Sequence, residues 1–358
     1  MSTYPQPEGQ AGPQPVAVPP SPRETRPEPP RRSPCGCVFV AFLVFALGGS
    51  LLANFILAGA AGVGLAGALD ADRRVQEKFV SQNATATDKV AILPIEGLIL
   101  ESDDGFVRRA IDTAIKDESV KAVVLRVNSP GGSVTGSDYI YHHLRRLTQE
   151  RKIPIVVSMG GIAASGGYYV SMAAGTTPDI IFAEPTSFTG SIGVVIPHYN
   201  LAELMKKVGA EEDSVASHPL KLMGSFSKPM TEEERRIFQS LVSDSFRRFK
   251  EIVRSGRSRF QKDPAALDRL ATGQIYSADQ ALANGLVDRL GFLEDAVDRA
   301  IALAKLRKEN VKVVRYKQEV SLSSLLFSEQ SHTSAAVEVR ALFEMVTPRA
   351  YYLCTWLE

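Results

Sequence analysis

The chain has 358 residues, with 41 basic against 40 acidic side chains and a formal net charge of +1 at pH 7. This length allows one large domain or two small ones. The balanced charge, without a long basic run, argues against a nucleic-acid partner. The three cysteines fit neither a disulfide framework nor a zinc site, so the sequence predicts no metal and no cofactor.

The first part of the chain differs in composition from the rest. Residues 1–34 are rich in proline, glutamine and small residues and offer little to bury, which predicts a disordered tail. Residues 37–69 then contain no charged side chain. Because about 20 apolar residues suffice to cross a bilayer as a helix, this segment is predicted to be a single transmembrane anchor.

Two features bear on the fate and the orientation of this anchor. Ala66-Gly67-Ala68 resembles a cleavage site, but the tail before the anchor is longer than a usual signal-peptide n-region. A retained anchor is therefore favoured, and slow cleavage after Ala68 stays open. The pair Arg31-Arg32 lies nearest the apolar segment, which predicts an N-terminus in the cytoplasm and a body on the far side of the cytoplasmic membrane.

The polar residues 70–88 are predicted to form a linker or stalk helix before a domain over 89–316. Within this domain, short apolar runs rich in β-branched residues alternate with apolar residues at helical spacing. Such alternation is typical of an α/β fold with mostly parallel strands. The runs that predict the first buried strands cover residues 90–95, 122–127, 153–157 and 179–183.

The second half of the domain is predicted to contain more helix. Thr231 and Glu234 form a capping-box pattern, which predicts a long helix that ends before Gly256. Residues 273–288 follow the pattern of a strand, a helix and a strand. The C-terminal extension, 317–358, is weakly patterned, and its composition allows packing on the domain, contact with a neighbouring subunit or contact with a membrane.

Ser165 is the first candidate catalytic residue, because it lies at a predicted strand-to-helix turn. The apolar run 153–157 precedes it, and a helix-prone, alanine-rich run begins at Tyr168. The N–H groups at a helix N-terminus stabilise negative charge, which suits a nucleophile. The same pattern also fits a turn of small residues with an N-cap serine.

The turn of residues 128–132, Asn-Ser-Pro-Gly-Gly, is a second candidate feature. Because the ends of neighbouring parallel strands lie side by side, the N–H groups of Gly132 and Gly166 could face one pocket. Acyl transfer needs a nucleophile, a base and such donors for the oxyanion. Two purely structural turns are the alternative.

The residues alone leave two candidates for the base. His198 lies downstream of Ser165 and could complete a Ser–His arrangement. Lys221 has a leucine on each side, and a lysine in an apolar setting can act as a base because burial lowers its pKa from about 10.4.

Three motifs together resemble those of the signal peptide peptidase A family of membrane-bound serine proteases. They are 128–132 (Asn-Ser-Pro-Gly-Gly), 164–169 (Ala-Ser-Gly-Gly-Tyr-Tyr) and 189–194 (Thr-Gly-Ser-Ile-Gly-Val). The resemblance extends over about 89–305. It implies the fold shared by Clp proteases and crotonases, an α/β domain of ββα repeats.

The resemblance also implies a Ser-Lys dyad. The family nucleophile falls on Ser165. The family lysine comes shortly before a Met-Thr-x-Glu-Glu helix start, which here is 230–234, and it falls on Lys221. Lys228 is nearer to that start but offset from the pattern, and His198 has no catalytic role in this interpretation.

Other site residues follow from the same motifs. The N–H groups of Gly132 and Gly166 are expected to bind the oxyanion, and Ser191 is expected to position the lysine. The segment between Ser165 and Ser191 is longer here than in the family, through residues 175–178.

The implied function is that of a membrane-anchored serine endopeptidase. Its expected substrates are remnant signal peptides or other membrane-associated or unfolded peptides. Short members of the family assemble as rings in which neighbouring subunits supply the serine and the lysine, so the resemblance implies a homo-oligomer in which Ser165 and Lys221 of one chain do not meet. A non-catalytic crotonase-like scaffold at the membrane and an acyl-CoA enzyme are the alternatives, and the natural substrate and ring size stay open.

Overall fold

The computed structural model describes residues 45–52, 54, 75–318 and 350–354. The chain divides into two compact units, one up to Gly62 and one from Val63 onward. In the first unit the described residues are helical, and their large apolar side chains are exposed. Among the residues that the structure describes, no helix is both long and apolar enough to cross a bilayer. The predicted tail and most of the predicted anchor lie outside the described residues.

A ten-stranded sheet forms the frame of the second unit. Its strands are β1 (Val75–Gln82), β2 (Asp88–Ile99), β3 (Val120–Ser133), β4 (Ile155–Ala164), β5 (Ile181–Ala183), β6 (Phe188–Gly190), β7 (Ile275–Ser277), β8 (Arg289–Leu290), β9 (Val311–Gln318) and β10 (Tyr351–Leu353). The main path runs β1-β9-β2-β3-β4-β5-β8. All neighbours on this path are parallel except β1 and β9 at the edge.

Helices connect and cover these strands. They are α1 (Phe106–Lys116), α2 (Val134–Arg151), α3 (Gly166–Ser171), α4 (Ala202–Lys207), α5 (Glu232–Gly256), α6 (Ser258–Lys262), α7 (Pro264–Leu270), α8 (Ala278–Asn284) and α9 (Leu293–Leu303). Short 3₁₀ turns cover Met172–Ala174, Pro219–Leu222 and Lys308–Asn310. The predicted capping box is present, because Thr231 accepts from the N–H of Glu234 and the Glu234 side chain accepts from the N–H of Thr231. The mixed α/β prediction is confirmed.

The hydrophobic core lies against the central strands. Residues 90–93 of β2 and 122–125 of β3 are fully buried, as expected for parallel strands that are covered on both faces. Helix α1 places Ala110, Ile111 and Ala114 against this core. The near-continuous apolar runs in the sequence arise from this two-sided burial.

The predicted turn at 128–132 is strand instead. Strand β3 continues through it to Ser133, and β4 extends beyond the predicted run 153–157 to Ala164. The pairing of β3 with β4 shifts register between Val127 and Ser129. A bulge of this kind bends a strand without ending it, which is why residues with turn propensity occur inside a strand here.

Both ends of the predicted domain also differ from expectation. Residues 75–82, predicted as linker or stalk helix, form β1 and pair with β9. In the C-terminal extension, Tyr351–Leu353 forms β10, antiparallel to the last residues of β3. These pairings join residues more than 200 positions apart, and local sequence pattern carries no information on such partners.

Candidate active site

Ser165 occupies the single residue between the end of β4 and the start of α3. Its torsion angles are φ 53° and ψ −114°, in a region where a non-glycine residue costs about 1–3 kcal/mol. Two backbone hydrogen bonds hold it there: its N–H donates to Gly190 O at 2.8 Å, and its carbonyl accepts from Tyr169 N at 2.9 Å. The predicted strand-to-helix turn is present, and its backbone is fixed on both sides.

The hydroxyl of Ser165 is buried without a partner. The residue is 1% exposed, and Oγ makes no hydrogen bond to any residue that the structure describes. A buried hydroxyl normally finds a partner, because its desolvation otherwise costs free energy. An unpaired hydroxyl on a strained backbone is typical of a functional position.

The two glycine-containing segments lie against each other at this point. A Cβ on Gly166 would be 3.2 Å from the backbone nitrogen of Gly132 and 2.4 Å from Ser137 Oγ. A Cβ on Gly132 would be 1.9 Å from the carbonyl oxygen of Ile99. Neither position has room for a side chain. The structure thus brings Gly132 and Gly166 together beside Ser165, as parallel neighbouring strands predict.

Ser191 lies level with Ser165. Strand β6 pairs in parallel with the end of β4, and Ala164 is opposite Gly190, so each serine directly follows a paired residue. The backbone of Ser191 also has a positive φ, of 51°, and its N–H donates to Gln274 O at 2.7 Å. Ser165 and Ser191 are both buried, and each directly follows the C-terminal end of one of two neighbouring parallel strands.

The structure does not bring Lys221 to Ser165. Lys221 lies in the exposed 3₁₀ turn Pro219–Leu222, and no hydrogen bond joins it to Ser165 within the described part of the chain. His198 is also engaged elsewhere, with Nε2 3.2 Å from Ser225 O. Among the described residues, a single chain thus brings together a candidate nucleophile and two candidate oxyanion donors, without a base in contact with Ser165.

Lys228, the lysine nearer to the start of this helix, forms an ion pair with Glu234. Glu234 is almost fully buried at the start of α5. Burial alone would raise the pKa of Glu234, but the hydrogen bonds from Lys228 and Thr231 outweigh it and hold the pKa below its usual value. This geometry gives Lys228 a structural role at the start of α5.

Sequence patterns missed the aromatic side of the site. Tyr169 is fully buried, and its hydroxyl donates to Asp138. Burial raises the pKa of this hydroxyl well above its usual range, and the hydrogen bond to Asp138 raises the pKa further. Tyr352 of β10 stacks on Tyr169, with ring centroids 5.0 Å apart. The Tyr-Tyr pair after Gly167 is a signal for such packing, but its partner in β10 is remote in sequence.

No group of metal-ligating side chains occurs among the described residues.

Comparison with known proteins places these features in a family. The model of peptidase family S49 matches residues 148–307. The chain is 34% identical over 259 residues to the protein named "Putative signal peptide peptidase SppA" of Enterococcus faecium, covering 69% of this chain and 72% of that protein.

Longer relatives match over part of their length. "Protease 4" of Haemophilus influenzae is 38% identical over 229 residues, which cover 62% of this chain and 36% of that protein. "Serine protease SPPA, chloroplastic" of Arabidopsis thaliana is 32% identical over 209 residues, which cover 58% of this chain and 29% of that protein. The match thus spans about a third of these longer proteins. With this similarity, the chain belongs to peptidase family S49.

Proposed function

We propose that this chain is a membrane-anchored endopeptidase that uses a Ser-Lys dyad, with Ser165 as nucleophile and Lys221 as base. The observation that carries the proposal is the buried, unpaired Oγ of Ser165 beside the backbone of Gly132 and Gly166. A nucleophile needs an adjacent base and oxyanion donors to act on an amide. In this proposal the backbone N–H groups of Gly132 and Gly166 are the oxyanion donors, and the base, Lys221, comes from another copy of the chain.

In the proposed reaction, Ser165 Oγ attacks the carbonyl carbon of the scissile peptide bond while Lys221 Nζ takes its proton. The N–H groups of Gly132 and Gly166 donate to the oxyanion of the tetrahedral intermediate. Lys221 then protonates the leaving amine, and water hydrolyses the acyl-enzyme with the lysine again as base. Ser191, level with Ser165 on the neighbouring strand, would orient the lysine ammonium group.

A second copy of the chain would supply the lysine. Lys221 is exposed in the single chain, whereas a lysine base must lose water to become neutral near pH 7. Docking of the Pro219–Leu222 turn on the Ser165 site of a neighbour would provide both the contact and the desolvation. The proposed assembly is therefore a homo-oligomer with active sites shared between subunits.

The proposed anchor is the uncharged segment 37–69, which would place the peptidase domain at the outer face of the cytoplasmic membrane. Substrates in this location are remnant signal peptides and other membrane-associated or unfolded peptides. The proposed peptidase domain comprises 89–316, with β1 and β10 as additions, and its finer classification is the Clp/crotonase-like fold.

The test is a peptidase assay on the full-length chain in detergent, with Ser165→Ala and Lys221→Ala. Each change is expected to lower kcat at least about 1,000-fold, because neither group acts without the other. Lys207→Ala, which alters an exposed lysine on α4, is the matched control and should leave kcat unchanged. Full activity of both dyad variants would exclude the mechanism.

Mixing the two inactive variants tests the shared site. Each catalytic residue is intact in half of the chains of a 1:1 mixture, so co-assembly should restore about a quarter of the wild-type activity. A site formed within one chain would give no restoration. Labelling of Ser165 by an acylating serine probe separates the peptidase from a non-catalytic scaffold, and CoA-ester turnover would favour the acyl-CoA enzyme.

A further inference from the structure

The pairing of β3 with its two neighbours is irregular on both sides just before Gly132. On the β4 side, residues 160–162 lie opposite the single residue Asn128. On the β2 side, residues 129–130 of β3 lie opposite the single residue Gly97. Such bulges leave backbone N–H and C=O groups without their ladder partners, and these groups then need other partners. Side chains of β3 supply two of the missing partners.

Asn128 holds β4 beyond this bulge. Its Oδ1 accepts a hydrogen bond from the N–H of Ile162 at 3.2 Å. Beyond the bulge, β3 and β4 are paired at one position, Ser129 with Ala163. The end of β4 then leads directly into Ser165. The Asn128 amide therefore helps to fix the end of β4, and with it the candidate nucleophile, against β3.

Ser129 holds the other half of the candidate site. The residue is fully buried, and its Oγ accepts a hydrogen bond from the N–H of Gly131 at 3.1 Å. Gly131 has a φ of 102°, and glycine has more conformational freedom than any other residue. Because the next peptide group carries the N–H of Gly132, rotation at Gly131 would turn this candidate oxyanion donor. The Ser129 hydroxyl restricts that rotation.

The two side chains leave β3 on opposite faces, as successive residues of a strand do. Asn128 is exposed and Ser129 is buried, which agrees with this alternation. Two neighbouring residues thus hold the strand that carries the candidate nucleophile and the segment that carries a candidate oxyanion donor. A displacement of about 1 Å between reacting groups can lower a rate about 100-fold, so the loss of either bond is expected to affect catalysis.

We propose that Asn128 and Ser129 are positioning residues of the peptidase. Asn128 sets the place of Ser165. Ser129 sets the direction of the Gly132 N–H. This inference rests on the proposed function. Each side chain acts through the main chain, because each accepts a hydrogen bond from a backbone N–H. Loss of either bond is therefore expected to lower kcat and to leave the binding of the peptide nearly unchanged.

The role of Asn128 can be measured on the full-length chain with one fluorogenic peptide. Asn128→Ala removes the acceptor, and kcat is expected to fall about 30-fold with KM within about twofold of wild type. Asn128→Asp keeps an acceptor oxygen and is expected to retain kcat within about threefold. Asn83→Ala is the matched control, because Asn83 Oδ1 accepts from Thr85 N at 3.0 Å between β1 and β2, and kcat should not change. A wild-type kcat in Asn128→Ala, or an equal loss in Asn128→Asp, would overturn the role of Oδ1.

The role of Ser129 can be measured with a peptide aldehyde, whose adduct with a serine resembles the tetrahedral intermediate. Ser129→Ala is expected to lower kcat about 30-fold and to raise the Ki of the aldehyde by a similar factor. On the Ser165→Ala background, the same change should alter the Kd of an uncleaved peptide less than about twofold. A fall in kcat without a rise in Ki would overturn the role. Should Ser129→Ala not fold, Ser129→Cys replaces it, with about a tenfold change expected because sulfur is a weaker acceptor.

Hydrogen exchange separates this inference from the catalytic proposal. In the full-length chain without substrate, Asn128→Ala is expected to speed exchange of the Ile162 amide at least about tenfold, and Ser129→Ala that of the Gly131 amide. The amide of Ile92, inside the buried part of β2, should exchange as in wild type. Unchanged exchange at Ile162 or Gly131 would overturn the inference even if no chain hydrolyses peptides. Faster exchange with an unchanged kcat in an active chain would overturn it as well.

Discussion

Gly132→Ala should abolish most of the activity by moving one oxyanion donor. The new Cβ would lie 1.9 Å from the carbonyl oxygen of Ile99, whereas ordinary contacts begin near 3.4 Å. The backbone of β3 must therefore shift by about 1.5 Å, the difference between these two distances. Loss of a single oxyanion donor costs about 100- to 1,000-fold in kcat, and a displacement of about 1 Å alone can cost 100-fold. We expect kcat to fall at least 100-fold.

The assay compares kcat and KM for one fluorogenic peptide, with the thermal midpoint measured in parallel. Strain from the added methyl group should also lower the free energy of unfolding by about 1–3 kcal/mol. Gly161→Ala is the matched control, because a Cβ there meets no atom closer than 3.7 Å. A Gly132→Ala chain that folds and retains kcat within about threefold of wild type would refute the oxyanion role of this residue.

Three further predictions concern stability and the alternative base. Burial would raise the pKa of Asp117, but hydrogen bonds from Lys89 and Ser119 outweigh it and lower the pKa from 3.8 to about 2. The stability that the carboxylate contributes is present above pH 3.8 and is lost as the pH falls to about 2. Asp117→Asn should therefore flatten the acid unfolding curve between these pH values. An unchanged curve would contradict the pairing of Asp117 with Lys89. Thr231→Ala removes the capping hydroxyl of α5 and should cost about 1 kcal/mol in urea unfolding, whereas no loss would mean that the cap is replaced. His198→Ala should keep kcat/KM within about threefold, and a 1,000-fold loss would instead favour a Ser–His pair.

Much of the fold could be predicted because the central strands are buried on both faces. Runs such as 122–127 are apolar throughout for that reason, and the Thr231 capping box marks a helix start by local chemistry alone. Strand β1 was missed because it is polar and exposed, and it owes its conformation to pairing with β9. The continuation of β3 through 128–132 was missed because a bulge needs the same residues as a turn.

The candidate site likewise contains some contacts that the sequence predicts and others that join residues remote in sequence. The proximity of Gly132 and Gly166 follows from the parallel order of β3 and β4, which local patterns and simple topology rules predict. The contact of Tyr352 with Tyr169 joins residues 183 positions apart and could not be read from either neighbourhood. In the proposed mechanism, Lys221 reaches Ser165 only between two copies of the chain, and local sequence patterns carry no information on such a contact.

The left-handed conformation of Ser165 and Ser191 has a consequence for how this protein can change. Glycine adopts such torsion angles without strain, so Ser191→Gly should make the fold more stable, and Ser165→Gly should do the same while ending catalysis. Random substitution toward stability would therefore remove both serines. Stabilised variants for biochemical work should therefore be sought away from the ends of β4 and β6, where a gain in stability would come with the loss of these hydroxyl groups.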